Sequence, residues 1–422
     1  MDQGKHQKIA VIGAGISGLT AAWLLAEHHE ITLYESANYA GGHTNTRKVE
    51  AGGRWWPVNT GFIVFNDWTY PNFVRLMERL DVASEASNMS FSVACSRTGL
   101  QYNGTNLNTL FAQRRNVLNL PFLKMIHEIL RFNRETRADL ASDAIDGGET
   151  LGNYLGRKGY SAYFRRNYIV PMGAAIWSAS EKVMERFPVR FFLQFFDNHG
   201  MLSVDNRPTW RVISGGSAQY VERMMKRLGP HLRLNSPVTS VRREADRVLV
   251  RSQGEQQAFD QVIFACHSDQ ALAMLADPCP DEQSILGAIG YQPNDVVLHT
   301  DPRLLPANRR AWAAWNYHIP RDGNTPVSVT YNMNILQNFR NAPETFCVTL
   351  NRSQDIEPSR IIERYEYAHP VFTLDAVAAQ QRHEEISGRN RTHYCGAYWF
   401  NGFHEDGVRS GLRVAQAFGA EL

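Results

Sequence analysis

The first twenty residues constrain this chain more than any other stretch. Lys8 to Ile12 reads as a short buried strand, Gly13-Ala14-Gly15-Ile16-Ser17-Gly18 follows without a spacer, and Leu19 to Glu27 continues as an apolar helix. Strand, glycine turn and helix in that order form a site for a dinucleotide. Gly13 permits the tight turn, Gly15 lets the backbone approach a pyrophosphate, and Gly18 lets helix and strand pack closely. The helix N-terminus, where Ser17 also sits, then meets the phosphates with amides and a favourable dipole, so no basic side chain is needed. Glu30 to Tyr34 makes a second strand. Glu35 ends it, about twenty residues after the loop, where a carboxylate accepts hydrogen bonds from an unphosphorylated ribose diol.

At 422 residues the chain exceeds one ordinary core, so two interleaved domains with a cleft between them are expected. Its 44 basic and 42 acidic residues nearly cancel, which argues against a nucleic-acid protein. Five cysteines, Cys95, Cys266, Cys279, Cys347 and Cys395, show no C-x-x-C spacing, so neither a disulfide framework nor a metal site is indicated and a reducing, cytoplasmic setting fits. No run of eighteen apolar residues suggests a membrane span. Neither a Ser/His/Asp triad motif nor H-E-x-x-H occurs, which leaves hydrolase chemistry unsupported, and the lack of a second G-x-G-x-x-G argues against a built-in nicotinamide site.

Ala40-Gly41-Gly42-His43-Thr44 and Val58-Asn59-Thr60-Gly61-Phe62 come next. With them the chain resembles the flavin-containing amine oxidase superfamily, which places a Gly-Gly-Arg turn after the ribose acid and a second glycine turn near the flavin ring. It departs from that pattern by carrying His43 where the arginine usually stands. Trp210 to Ser217, Pro237 to Val241 with the Asp260 to Cys266 strand, and Gly396-Ala397-Tyr398 with Gly402 to Gly411 resemble further superfamily segments. The resemblance implies an α/β fold: a two-dinucleotide-binding, Rossmann-like FAD domain from residues 1–70, 205–275 and 386–422, with an interleaved α+β substrate domain from 71–204 and 276–385. It implies non-covalent FAD, held by Gly13, Gly15, Ser17, Gly18, Glu35, Gly41, Gly42, His43, Gly61, Phe62 and Val238. Glu405, Asp406 and Val408 would open the last helix toward the flavin.

Asn66 to Pro71, Asn88 to Val93, Phe111 to Asn116, Pro171 to Ser178 and the Phe-His-Glu-Asp-Gly segment resemble a narrower branch, flavoproteins found beside or fused ahead of cyclopropane-fatty-acid-synthase-type methyltransferases. That resemblance implies a fatty acyl or phospholipid substrate, a desaturation or related redox step in methyl-branched, cyclopropane or furan fatty acid metabolism, and a methyltransferase partner. Two other readings stay open: an amine oxidase, and a flavin-loaded lipid-binding partner without chemistry of its own. Few catalytic side chains are needed beside a flavin; the candidates are His404, Tyr398 and His199. From Arg114 to Arg134 apolar residues recur at helical spacing among Arg114, Arg115, Lys124, Arg131 and Arg134, which suits either a helix packed on the core or peripheral contact with the inner membrane face. Trp177, Phe191, Phe192, Phe195, Phe196, Trp312 and Trp315 suit either a tunnel wall or plain core. Asp139, Asp143, Asp146 and Glu149 read as a solvated connection.

Overall fold

A computed structural model describes residues 6–321 and 328–422. Lys8–Ile12 (β1) has its last four residues buried, as a strand covered on both faces requires. It is the middle strand of a five-stranded parallel sheet. Glu30–Tyr34 (β2) and then Leu232–Arg233 (β3) lie on one side, and Gln261–Phe264 (β4) and then Thr392–Tyr394 (β5) on the other. The chain leaves β1 through Gly13–Gly15 into a helix, Ile16–Leu25 (α1), all of whose ten residues are buried. This helix starts earlier than its apolar run suggests, because Gly15 sits in extended backbone (φ −75°, ψ 178°) and serves as the N-cap.

The last helix, His404–Gln416 (α2), explains why α1 has no solvent face. A Cβ added at Gly411 would lie 2.4 Å from the Ser17 carbonyl oxygen, and one at Gly407 would lie 2.5 Å from Ile16 Cγ2. Only glycine lets the two backbones approach this closely. Because Gly407 meets the first residue of α1, the two helices begin at the same level, and their N-termini open on the same side of the sheet.

A seven-stranded sheet forms the second half of the molecule, in the order Ile361–Val371, Gly290–His299, Cys347–Leu350, Ser328–Asn332, Trp315–Ile319, Phe91–Cys95 and Gln101–Asn103. Helices such as Leu120–Ala141 and Val189–Asn198 accompany it. A small three-stranded sheet of Phe65–Asn66, Trp210–Ile213 and Ser84–Ala86 crosses the sequence boundaries near 70 and 205. The two halves are therefore hydrogen-bonded together there.

Two local expectations need correction. The basic segment is not one helix from Arg114: Arg114–Leu118 is a short 3-10 turn, and Asn119 then caps a new helix with Pro121 in its first turn, where a missing N–H costs nothing. Of the expected apolar face, Phe122 is buried and Leu123, Ile126 and Ile129 are half-buried, so most of that stripe packs inward. The acidic run is a solvated connection only in its middle, where Asp143 and Asp146 are exposed; Asp139 accepts from Lys158 at 2.6 Å and Tyr154 at 2.7 Å, and Glu149 takes both arms of Arg157 at 2.8 Å. Of the two readings of the aromatic cluster, core packing is the one found: Trp177, Phe192, Phe195 and Phe196 are buried in one continuous core, against which Phe191 and Trp315 pack.

The contact between α1 and α2 gives a stability test. Gly411→Ala forces a methyl against the Ser17 carbonyl and is expected to cost about 1–3 kcal/mol. Calorimetry of the purified apoprotein should show the lowered midpoint; an unchanged midpoint would mean that the helices are free to separate.

Candidate functional site

The three glycines of the first turn do different work. Gly13 has φ +108° and an added Cβ would lie 2.8 Å from the Ala265 carbonyl oxygen; one at Gly18 would lie 1.9 Å from that of Gly13. Both are demanded by the protein itself. Gly15 has nothing within 4 Å of an added Cβ, so its lack of a side chain serves something that approaches from outside the fold. Glu35 braces this turn, with one carboxylate oxygen accepting from Ala14 N–H and the other from Ala37 N–H, each at 2.9 Å. Part of the expected ribose acceptor is thus committed to holding the loop.

A second and a third glycine turn stack on the first. Gly41 N–H donates to the Ala14 carbonyl at 2.8 Å, and a Cβ on Gly42 would lie 3.1 Å from Gly15 Cα. Gly61 lies so close to the His43 carbonyl that a Cβ would sit 2.1 Å from its oxygen, while Phe62 N–H donates to that same oxygen at 2.8 Å. Phe62 then stacks face to face on His404 with ring centres 3.5 Å apart. His404 Nε2 bonds Thr44 Oγ1 at 2.8 Å and Tyr220 OH at 3.3 Å. This histidine pins the start of α2 to the glycine turns, which occupies the nitrogen a general base would use.

The carboxylates beside it are also occupied. Glu405 accepts from Phe73 N–H at 2.9 Å and from Asn72, capping the Pro71–Arg79 helix, and Asp406 accepts from Phe403 N–H at 2.9 Å and Asn401 N–H at 3.2 Å. Burial raises both, Asp406 to about 7, which weakens negative charge next to an anionic ligand. These side chains are caps, not ligands; what α2 offers a cofactor is its first-turn amides, which lack intrahelical acceptors. Val408 and Ser17 are buried between α2 and α1, again as packing. Val238 is half-buried at the start of an antiparallel meander.

Four histidines lie near one another here. His43 faces His369 at 5.4 Å and Tyr367 at 4.8 Å between ring centres, and its Nε2 is enclosed without a partner. Burial pushes His43 down to about 3 and His369 to about 4, and lowers His267 and His404 as well, so all four rings are neutral at pH 7. Tyr398 lies over Gly396, where a Cβ would be 2.2 Å from its ring, and its phenol is enclosed without a partner. His199 is elsewhere in purpose: its Nδ1 bonds the Phe195 carbonyl at 2.9 Å and its ring stacks on Phe195, ending the Val189–Asn198 helix. It is a cap and not a base.

Sequence reasoning missed Thr44, Tyr220, His267, Tyr367 and His369. Thr44 follows the glycine turn directly and was within reach, whereas His369 comes from a strand of the other sheet with no motif around it. A cavity of about 570 Å³ beside Trp56, Phe339 and Gly215–Gly216 shares no residue with the phosphate turn or α2, so it is separate from this site.

Two helix N-termini, an open Gly15 and an enclosed, unpartnered His43 nitrogen fit a diphosphate-bridged cofactor. Residues 16–345 match the flavin containing amine oxidoreductase family. The chain belongs to that family. The family's model describes flavin-containing oxidoreductases, in keeping with a site that fits a diphosphate-bridged cofactor. Flavin-containing amine oxidase A of Canis lupus familiaris is 25% identical over 59% of this chain, and L-amino-acid oxidase of Bungarus fasciatus 24% over 74%. The matches span 47% and 60% of those relatives' own lengths. The fold follows cyclohexylamine oxidase from Brevibacterium oxydans (TM-score 0.69, 15% identity, 98% of this chain and 99% of that one). It follows a CLA-producing fatty acid isomerase from P. acnes as closely (0.68, 15%, 98% and 99%). The α/β architecture expected from the sequence is that of these oxidases.

Two outcomes follow from the site. Gly15→Ala should leave the apoprotein's fold and melting intact yet reduce FAD retention at least tenfold, whereas Gly13→Ala should destabilise the apoprotein; flavin absorbance after desalting and apoprotein melting separate the two. Equal effects from both would contradict the division of labour among the glycines. The lowered histidines also set an acid limit. Their folded values lie below the ordinary 6.5, so the stability tied to their neutral forms is complete above pH 6.5 and is lost as pH falls toward their folded values of about 3 to 4. Apoprotein melting midpoints should therefore fall between pH 6.5 and 4, and less steeply in His43→Gln.

Proposed function

We propose that this flavoenzyme oxidises fatty acyl chains, introducing unsaturation or carrying out a related redox step in the making of modified fatty acids. The carrying observation is the wall presented where α2 begins. Phe403, the N-cap of α2, stacks on Phe195 at 4.9 Å, and Phe191 stacks on Phe372 at 4.9 Å, in continuity with the core around Trp177. An apolar layer of this kind suits a chain of methylenes, which it would hold by dispersion and burial, and offers little to orient a charged group. Bound FAD supplies a two-electron acceptor, usually for hydride. The protein's own share is then to bind the cofactor through the stacked glycine turns and to place a C–H bond over it.

The relatives include a fatty acid isomerase and, over 79 residues at 37% identity, a zeta-carotene desaturase of Zea mays, both named for work on long apolar chains. Non-covalent FAD suits the thiols nearby: Cys395 is wholly buried in the core, and burial pushes Cys266 up to about 12. The resemblance to flavoproteins paired with methyltransferases makes such an enzyme the expected partner, supplying or consuming the methylated chain.

Amine oxidation is the second reading, favoured by the named amine oxidases among the relatives. The central lysines give it no help, since Lys158 is bound to Asp139 at 2.6 Å and Lys182 is exposed. Anaerobic titration of the holoenzyme, followed at the visible flavin band, separates the readings. Bleaching by vesicles carrying unsaturated or methyl-branched acyl chains, and not by a panel of amines, is the expected result. Bleaching by amines alone would replace the acyl reading. No bleaching with either would point to a carrier that holds lipid without oxidising it.

A further inference from the structure

The helix beginning at Leu120 turns most of its apolar stripe inward, yet the surface just before it is apolar in a way the core does not explain. Leu107, Val117, Leu118 and Leu120 are 75%, 51%, 87% and 76% exposed, four of the nine large apolar side chains found exposed among the described residues. They fall within fourteen residues of sequence. Scattered exposed leucines are normal; a concentration of this kind marks a surface that meets something apolar.

Along the sequence the charge around it has one sign, with Glu181 on a separate helix the carboxylate that feels Arg97. From Ala86 to His127 the sequence contains no aspartate or glutamate, while Arg97, Arg114, Arg115 and Lys124 are present and exposed. The fold adds two more cations from a distant segment. Asn308 N–H donates to Gln101 Oε1 at 2.9 Å and Asn308 Nδ2 to the Ala112 carbonyl at 2.8 Å, which sets exposed Arg309 and Arg310 against the same region. None of these six has a salt bridge among the described residues. Leucines flanked by unpaired cations match an anionic phospholipid surface, whose headgroups take the arginines while its acyl boundary takes the leucines.

We propose that residues 97–124, together with Arg309 and Arg310, form a docking face for anionic phospholipid bilayers. The face differs from a lipid-facing 114–134 helix. The 3-10 turn and the loop before it do the inserting, while the Leu120–Ala141 helix is anchored to the core by Phe122, Met125 and Phe132. That core continues to Phe195, beside Phe403, so the face is a rigid part of the half of the molecule that carries the aromatic wall. The inference stands on the surface alone and does not require acyl chemistry.

Flotation of the FAD-loaded protein with vesicles tests it, comparing pure phosphatidylcholine with phosphatidylcholine containing one third phosphatidylglycerol. Expected is binding to the anionic vesicles that weakens with salt. Leu118→Ser/Leu120→Ser should reduce it roughly tenfold or more. Arg115→Gln/Lys124→Gln should reduce it about fivefold for each charge removed. Both variants change exposed side chains, so their FAD content and melting should match the parent, which keeps loss of binding distinct from loss of fold. Equal binding to both vesicles, no binding to either, or binding unchanged in the variants overturns the proposal. So does a self-association in gel filtration that Leu118→Ser/Leu120→Ser abolishes while vesicle binding is absent, since the leucines then serve a second copy of the chain. Flavin bleaching by acyl chains is read separately, so the two ideas fail independently.

Discussion

Everything in the cofactor half depends on two helices approaching until backbone meets backbone. Gly407 and Gly411 on α2 leave room for Ile16 and the Ser17 carbonyl on α1, and this shared starting level points two sets of unbonded amides the same way. Anion binding at one helix N-terminus is common; here a second terminus arrives from nearly 400 residues away in the sequence. The glycine turns then stack in order, Gly13–Gly15, Gly41–Gly42 and Gly61, each held by the carbonyl or Cα of its neighbour. A small change in helix separation would displace all three.

Around this frame burial works against charge on several ionisable groups. Asp406 and Glu405 are acids that burial raises, the four histidines are bases that burial lowers, and Glu35 spends its oxygens on backbone amides. Field from oriented amides therefore dominates, which suits binding an anion without also gripping counter-ions. His43 is the telling position, because the resemblance leads one to expect a permanent positive charge there and the structure holds a neutral ring with a free nitrogen. What the free protein offers at that point is a hydrogen-bonding nitrogen in place of a permanent charge.

The sequence was most legible where local rules act alone. β1 and β2 fall on the residues their apolar runs mark, since a doubly covered strand tolerates no polar interruption, and the glycine spacing names the turn between. Side-chain roles were less legible. Glu405 and Asp406 stand in a cofactor motif, but which way a carboxylate turns depends on partners such as Asn72 and Asn401, and the sequence does not show that they are adjacent. His404 was readable as a contact near the cofactor; that Thr44 and Tyr220 would claim its Nε2 was not. The acidic run was misread at its two ends for the same reason, the cations of Asp139 and Glu149 lying at Lys158 and Arg157, beyond the segment itself.

The division of the molecule follows from these same differences. The parallel-sheet half turns two sets of helix N-terminal amides and the unpartnered His43 nitrogen toward the glycine turns, an arrangement suited to an anionic cofactor. The other half carries the interdigitated Phe and Trp side chains that run from Phe122 under the surface to Phe195 beside α2. Because packed aromatic cores deform little, the distance between the outer apolar surface and the start of α2 is fixed by that packing and not by a hinge. The outer apolar surface and the start of α2 are thus related by a rigid aromatic layer, whose shape is set by packing and not by charge.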